Sequence, residues 1–287
     1  QELKNVQFPV EVYSISLEKA PSGAVQLPAV PFRKPRWLTS LINRTMELSK
    51  VKAAFENALA GRSSVVAVQG EAGVGKTRLM QELGMRAQSE GIVVRTGSAS
   101  EAGLPYAPWV ETARQYVAQA PAELLRRMLG RSASELVKLV PDVVVKVGSI
   151  PPSKPLGEQQ DKIRFYEAVT QFFISICTES PLVLLFDDMQ WADQPSLDLL
   201  EYFVGSATSL RVLTACAYRS EDVQPESALY RSLMNLNRQR LLETLQVKNL
   251  SKEETIELIK RTFGEQTISS EFSDLIYERT GGNPFFV

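Results

Sequence analysis

The sequence predicts an α/β protein in which helices flank both faces of a parallel five-stranded sheet. Two observations lead to this prediction. Short, continuous apolar runs of strand length alternate along the chain with longer segments whose apolar residues recur at helical spacing. The 287 residues are 44% hydrophobic and 23% charged, which is typical of a globular protein that buries a sizeable core.

The predicted elements follow one another in an order that suits such a sheet. A continuous apolar run indicates a strand that is covered on both faces, because neither face has to be polar. The predicted strands lie at residues 63–68, 92–97, 182–188, 211–220 and 243–247. The predicted helices lie at residues 43–60, 77–90, 105–180, 195–204, 226–236, 251–263 and 270–279, with an interruption at 141–155. Ser251 and Glu254 form a capping box at the start of one of them.

This order divides the chain into three parts. Residues 1–40 combine a strand-like segment with a proline-containing linker. Residues 41–240 form the core with the sheet, and residues 241–287 form the start of a helical lid subdomain that is truncated. Because the chain begins with Gln1 rather than Met, we expect it to be a piece of a longer protein.

The composition narrows the chemistry that the chain can perform. It contains no histidine, so any metal must be bound through oxygen atoms, as Mg²⁺ is. A net charge of −1 provides no field that attracts nucleic acid or an anionic membrane, and the apolar runs are far too short to span a bilayer. Cys177 and Cys216 lie in apolar runs, which predicts free buried thiols and a reducing, cytoplasmic location.

The segment "GEAGVGKT", residues 70–77, fits the pattern G-x-x-x-x-G-K-[ST] between a predicted strand and a predicted helix. Glycines let backbone N–H groups surround phosphates, and the helix N-terminus adds a partial positive charge. Lys76 would reach the β- and γ-phosphates, and Thr77 would hold Mg²⁺. The alternative is a structural glycine turn with an exposed lysine. The candidate phosphate-binding residues are Gly70, Glu71, Ala72, Gly73, Val74, Gly75, Lys76, Thr77 and Arg78.

Two acids end the strand in "LVLLFDD". Asp187 emerges where this strand approaches the loop, so we expect it to bind Mg²⁺ directly or through water. Asp188 points elsewhere and would accept a hydrogen bond from an attacking water. The alternative for this pair is a simple strand-end cap. Together with the upstream loop, the pair favours the Mg²⁺ site of a P-loop nucleoside triphosphatase fold.

Arg219 ends the fourth predicted strand. Ligands of such sheets bind at the carboxyl ends of the strands, where an arginine can contact the γ-phosphate. The alternative is a salt-bridged surface arginine.

Five segments in this order resemble the STAND ATPases, a signalling branch of the AAA+ superfamily. The subgroup is similar to the one fused to class III adenylate or guanylate cyclases and to LuxR- or MalT-like transcription regulators. The segment "LKNVQFPVEVYSISL" also resembles the closing strand of a cyclase domain. The five segments are "GEAGVGKTRLMQEL", "PYAPWVETAR", "LLFDDMQWADQPSLDLL", "TACAYRS" and "TGGNPFFV".

The resemblance implies further roles. The family's "hhGR" element, which helps to bind the adenine, corresponds to residues 41–44. Asn43 stands where the family has Gly, and Asn tolerates backbone angles similar to those of Gly. The family's G-x-P element places Pro284 in the lid, closing on the base. Arg219 matches its first sensor. The resemblance therefore adds Ile42, Asn43, Arg44 and Pro284 as nucleotide contacts and assigns Trp191 and Asp193 to the "WAD" extension.

Two functional hypotheses share this site. In one, the chain is a slow Mg²⁺-dependent ATPase in which Lys76, Asp188 and Arg219 are catalytic, with Asp188 shorter than the Glu of many relatives. In the other, ATP or ADP binding switches the lid between open and closed forms with negligible turnover. A third alternative is a scaffold that binds no nucleotide, but this alternative does not explain why both Lys76 and Asp187 are present. A DNA motor would need a basic channel, which the sequence lacks.

The resemblance also implies partners. We expect a fused or separate effector, either a cyclase or a transcription regulator, and assembly into nucleotide-dependent homo-oligomers. We expect no membrane and no direct nucleic-acid binding by this fragment. The choice of ATP over GTP depends on the resemblance alone.

Overall fold

The computed structural model describes residues 41–263 and 269–287. It confirms an α/β fold around a five-stranded sheet, in which every paired strand is parallel and the order is β2-β3-β4-β1-β5. The strand-like segment and linker expected at residues 1–40 lie outside the described residues. The strands are β1 Ser64–Gly70, β2 Val93–Ser98, β3 Leu182–Asp187, β4 Val212–Arg219 and β5 Leu242–Gln246.

In the described part of the chain, helices precede, separate and follow the strands, and three short 3₁₀ turns lie in the connections. The helices are α1 Thr45–Leu59, α2 Lys76–Ser89, α3 Ala107–Gln119, α4 Ala122–Leu129, α5 Ala133–Leu139, α6 Asp142–Val147, α7 Glu158–Glu179, α8 Gln194–Ser206, α9 Ala228–Arg238, α10 Lys252–Phe263 and α11 Ser270–Thr280. The 3₁₀ turns are Gly130–Ser132, Met189–Trp191 and Ser220–Asp222. No helix in the described part of the chain is both long enough and apolar enough to cross a membrane.

Two sequence-based boundaries were wrong. The interruption expected at 141–155 contains helix α6, which follows Pro141 and buries Val143 against the core. The division at residues 240 and 241 places β5 in the lid, although β5 pairs with β1 as an edge strand of the sheet. The sheet therefore continues through Gln246, and the helices α10 and α11 follow it.

The two faces of the sheet belong to different halves of the core, because successive side chains of a strand point to opposite faces. On β3, Leu182, Leu184 and Phe186 pack on the side of helices α3 to α9, and Val183 and Leu185 pack on the side of α1 and α2. Both faces are buried, which explains the continuous apolar runs in the sequence.

Strand register brings distant parts of the sequence to one edge of the sheet. Gly70, the last residue of β1, lies opposite Arg219, the last residue of β4. Ser98 at the end of β2 lies opposite Asp187 at the end of β3. Because the strands are parallel, these ends share the carboxyl edge, where sheets of this kind bind ligands.

Candidate functional site

The loop of residues 70–77 joins the end of β1 to the start of α2. Gly73 and Gly75 have φ angles of 78° and 101°, in the left-handed region that favours glycine. Gly75 immediately precedes α2, so the loop runs directly into the N-terminus of this helix. Backbone N–H groups that are not used inside the helix are available there to bind an anion.

The side chain of Lys76 crosses the loop. Its Nζ atom donates hydrogen bonds to the carbonyl oxygens of Gly70 at 2.9 Å and Glu71 at 2.7 Å, and the residue is only 8% exposed. Burial lowers the pKa of Lys76 from its ordinary value, and the charges of Glu221 and Asp187 partly offset this effect. The ammonium group is therefore held in place without a carboxylate partner at salt-bridge distance among the described residues.

Thr77 and Asp187 meet beside this lysine. The Thr77 hydroxyl donates to Asp187 Oδ2 at 2.7 Å, and the Asp188 backbone N–H donates to Asp187 Oδ1 at 2.9 Å. In the described part of the chain no three acidic or cysteine side chains converge on one point. The hard oxygen atoms of Thr77 and Asp187 fit Mg²⁺, which needs only one or two protein ligands when phosphate oxygens complete its shell.

Asp188 has a φ of 53°, so its backbone turns sharply after β3. Its Oδ1 atom accepts a hydrogen bond from Gln190 Nε2 at 3.0 Å. The Gln190 Oε1 atom accepts another from the backbone N–H of Arg219 at 3.1 Å. Gln190 therefore connects the ends of β3 and β4, a role that the sequence analysis missed because nothing in the residue pattern indicates it.

The guanidinium of Arg219 lies over the ring of Trp191, with Cζ 5.0 Å from the ring centroid. It forms no ion pair with any residue in the ranges 41–263 and 269–287, which disfavours the salt-bridge alternative. Asp193 has a different role, because its carboxylate caps α8 through the Ser196 N–H at 3.3 Å and also accepts the Tyr106 N–H at 3.2 Å. The tryptophan thus supports the arginine, and the aspartate positions helices.

Arg44 connects the segment before α1 to the loop. It is 7% exposed, and its Nη2 atom donates to the carbonyl oxygens of Val74 at 3.2 Å and Lys248 at 2.7 Å. Its Nη1 atom pairs with Glu47 at 3.2 Å. Arg44 therefore links the loop to the segment that follows β5, and we call this pair of contacts the Arg44 brace.

Asn43 has a φ of 41°, as expected for an asparagine in the place of a glycine. Its side chain donates to Glu254 Oε1 on α10 at 2.9 Å. The other oxygen of Glu254 accepts the Ser251 N–H at 2.7 Å, and Ser251 Oγ accepts the Glu254 N–H at 3.2 Å, which confirms the capping box. Ile42 beside them is buried.

The C-terminal segment reaches the loop directly. Asn283 is 6% exposed, and its Nδ2 atom donates to the carbonyl oxygen of Ala72 at 2.8 Å. Gly282 accepts a hydrogen bond from the Leu250 N–H at 2.8 Å, which fixes the segment to the chain leaving β5. Pro284 follows Asn283 and is partly buried.

Glu221 is a second residue that the sequence analysis missed. It lies in the 3₁₀ turn after β4, and its Oε1 atom accepts the backbone N–H of Ala72 at 2.8 Å. Burial raises the pKa of Glu221, but hydrogen bonds from backbone N–H groups and Ser220, together with the charge of Lys76, outweigh burial and leave the pKa below its ordinary value. Its only sequence signal is its place two residues after Arg219.

Arg78 lies in the first turn of α2. Its Nη2 atom is 3.6 Å from Glu82, while its Nε and Nη1 atoms are buried without a hydrogen-bond partner among the described residues. Buried donors of this kind are uncommon in folded proteins and are suited to an anionic ligand. The inclusion of Arg78 in the candidate site stays a prediction.

The fold and the loop define a P-loop nucleoside triphosphatase. A family model for the AAA ATPase domain matches residues 40–214, more than half of the chain, and the chain belongs to this family. It is therefore a nucleotide-binding protein of the ATPase class.

One relative is the hybrid signal transduction histidine kinase G of Dictyostelium discoideum, which is 27% identical over 184 residues. The match covers 60% of this chain but only 5% of that protein, so this chain corresponds to a small part of its relative.

Two solved structures are similar to this chain, and the first of them shows the fold. The Walker-type ATPase PABY2304 of Pyrococcus abyssi has a TM-score of 0.50 at 15% identity, with 85% of this chain and 65% of that chain covered. A STAND protein with a tetratricopeptide repeat sensor from Pyrococcus horikoshii has a TM-score of 0.45 at 15% identity, with 87% of this chain and 29% of that chain covered.

Proposed function

We propose that this chain binds ATP and hydrolyses it slowly with Mg²⁺, and that it regulates a fused or partner effector. The observation that carries the proposal is the meeting of Lys76, Thr77 and Asp187 at one end of the sheet. The lysine ammonium crosses the loop, and the hydroxyl and carboxylate are 2.7 Å apart. A triphosphate needs an ammonium, a magnesium site and free backbone N–H groups together in this way.

Each residue has a separate part in the chemistry. Thr77 and Asp187 would hold Mg²⁺, which supplies positive charge to the phosphate oxygens when it is bound. Lys76 and the loop N–H groups stabilise the charge on the β- and γ-phosphates, and Arg219 contacts the γ-phosphate. Asp188 orients the attacking water. Because Asp is one methylene shorter than Glu, it holds this water less closely, which leads to slow turnover.

The resemblance to STAND ATPases supports adenine as the base. In this proposal Ile42, Asn43, Arg44 and Pro284 surround the adenine, and the remaining loop residues Gly70–Gly75 and Arg78 bind the phosphates. The brace formed by Arg44 between Val74 and Lys248 supports such a pocket, because it sets the distance between the loop and the lid.

A second candidate function is a nucleotide-dependent switch with negligible turnover. The contact between Asn283 and Ala72 favours it, because this contact joins the C-terminal segment to the phosphate loop itself. Binding of ATP or ADP between them would change the balance between open and closed lids. The output would pass to a cyclase, a transcription regulator or a nucleotide-dependent homo-oligomer in the cytoplasm. The name of the Dictyostelium relative, a signal transduction kinase, is in keeping with a signalling role.

The deciding experiment measures nucleotide binding and phosphate release on the purified chain. Phosphate release that requires Mg²⁺-ATP and falls in Asp188→Asn would support the enzyme. Tight ADP binding without measurable release would support the switch. Binding of neither nucleotide by calorimetry would refute both candidate functions.

A further inference from the structure

One backbone N–H group of the phosphate loop, residues 70–77, already donates a hydrogen bond to a carboxylate. Glu221 Oε1 lies 2.8 Å from the backbone nitrogen of Ala72, at hydrogen-bond distance and geometry. Ala72 belongs to the loop that the proposed function assigns to phosphate. Carboxylate and phosphate oxygens are both anionic acceptors, so they compete for the same N–H group.

The position of Glu221 follows from the sheet. Register places the end of β4 beside the end of β1, because Arg219 lies opposite Gly70. The 3₁₀ turn Ser220–Asp222 continues directly from β4 and carries Glu221 over the loop. The Ala72 N–H therefore faces the turn that directly follows Arg219, the residue proposed to contact the terminal phosphate.

Glu221 is held at this position by contacts of its carboxylate and of its backbone. Its Oε2 atom accepts a hydrogen bond from the Ser220 hydroxyl at 3.3 Å, and the Glu221 carbonyl accepts one from Gln224 Nε2 at 3.3 Å. Glu221 is exposed, so displacing it transfers the carboxylate to water without leaving a charge buried. A ligand with a sufficient negative charge can take its place at a moderate cost.

We propose that Glu221 competes with the terminal phosphate for the Ala72 N–H and thereby shifts the preference of this site from nucleoside triphosphate toward nucleoside diphosphate. This inference rests on the proposed function. A triphosphate must displace the carboxylate or share the loop with it, and two anions at such a distance repel each other. A diphosphate is shorter by one phosphate and leaves this part of the loop to Glu221. Glu221 is thus a specificity-determining residue.

The test compares two nucleotides rather than one. The Kd values of ADP and of a non-hydrolysable ATP analogue are measured with Mg²⁺ by calorimetry on the unaltered chain, Glu221→Gln and Glu221→Ala. The control is Asp222→Asn, which removes an exposed acid of the same turn and changes the net charge by the same amount. We expect both Glu221 variants to raise the affinity for the ATP analogue about tenfold relative to ADP, and the control to leave this ratio unchanged.

The remaining outcomes overturn the inference in distinguishable ways. Equal weakening of both nucleotides, together with a lower unfolding temperature, would make Glu221 a structural anchor of the loop. An unchanged ratio with both nucleotides bound would refute the competition alone. Failure of the unaltered chain to bind either nucleotide would refute the proposed function and, with it, this inference.

Discussion

Lys76 is a buried cation whose nearest partners are main-chain carbonyls, an arrangement that is costly unless the charge is needed there. We predict that Lys76→Ala abolishes Mg²⁺-ATP binding, a loss of about a hundredfold or more, because it removes a charge-assisted contact to phosphate. Calorimetry measures this loss. Lys52→Ala, which removes a lysine that is 65% exposed on α1, serves as the control and should bind normally. An unchanged affinity in Lys76→Ala would refute the phosphate role of this lysine.

Asp188 is the residue on which turnover depends in the proposed mechanism. Asp188→Asn keeps the size of the side chain and its acceptor oxygen for Gln190 but loses the negative charge that orients water. We predict that nucleotide binding is retained and that phosphate release slows by about a hundredfold. The measurement is single-turnover phosphate release with bound Mg²⁺-ATP. A rate equal to that of the unaltered chain would show that Asp188 does not orient the attacking water.

At the residue scale, the sequence predicted the groups whose positions depend on strand ends and missed those that depend on turns. Lys76, Thr77 and Asp187 were expected to converge because strand–loop–helix order and parallel pairing place them together. Gln190 and Glu221 reach the site through the path of a short 3₁₀ turn after a strand, which residue spacing does not determine. Neither residue type is unusual at its position, and only the closeness of Glu221 to Arg219 in the sequence gives a weak signal.

At the scale of elements, Gly73 joins the phosphate loop to the C-terminal segment. Its φ is 78°, and a Cβ atom would lie 2.7 Å from both Asn283 Oδ1 and Phe285 Cβ. We predict that Gly73→Ala displaces this segment and lowers the free energy of unfolding by about 1–3 kcal/mol, because the backbone is strained and the contact is too close. Urea unfolding gives the energy.

Gly205→Ala is the matched control for that substitution. Gly205 lies in α8, is exposed, and has open space around the position of a Cβ atom. Because alanine favours helix more than glycine does, this variant should be more stable by up to about 1 kcal/mol. Equal effects of the two substitutions would show that the contact of Gly73 with Asn283 has no energetic consequence.

The helices and strands themselves were largely predictable, because apolar continuity and helical period have direct physical causes. The exceptions have equally direct causes. Helix α6 is six residues long, too short to develop a recognisable period, and it is stabilised by the packing of Val143. Strand β5 was predicted as a strand, but the division of the chain placed it with the lid; it is short and has exposed residues, as edge strands do, so its place in the sheet shows only in its pairing with β1.

At the scale of the whole molecule, the core makes both cysteines inaccessible. Cys177 and Cys216 are buried free thiols, as the sequence predicted, and burial raises the pKa of each to about 12. At pH 8 only about one thiol in ten thousand is then ionised, and the reactive thiolate becomes more abundant as pH rises. We predict that iodoacetamide labels neither residue in the native chain and labels both after unfolding in urea.

Mass spectrometry of the labelled chain measures this difference. Modification of either cysteine in the native chain at the rate of a free thiol would contradict the burial of that part of the core. The same experiment also reports folding in the variants above, because a folded variant protects both thiols and an unfolded one does not.

The overall class of the fold was predictable from the sequence, but the order β2-β3-β4-β1-β5 was not. Alternating strands and helices specify parallel pairing without specifying which strands are neighbours. That order is what places Arg219 opposite Gly70, and so it decides that the turn after β4 extends over the loop. The site therefore depends on a property of the whole sheet that no single motif contains.

Ala72 is contacted from two directions, by Glu221 at its nitrogen and by Asn283 at its oxygen. One amino acid thus contacts both the turn that follows β4 and the C-terminal segment. Isotopic labelling of this alanine with ¹⁵N and ¹³C would give two resonances from one residue, each reporting on a different neighbour. Titrating nucleotide into such a sample would separate, in a single spectrum, events at the phosphates from movements of the C-terminal segment.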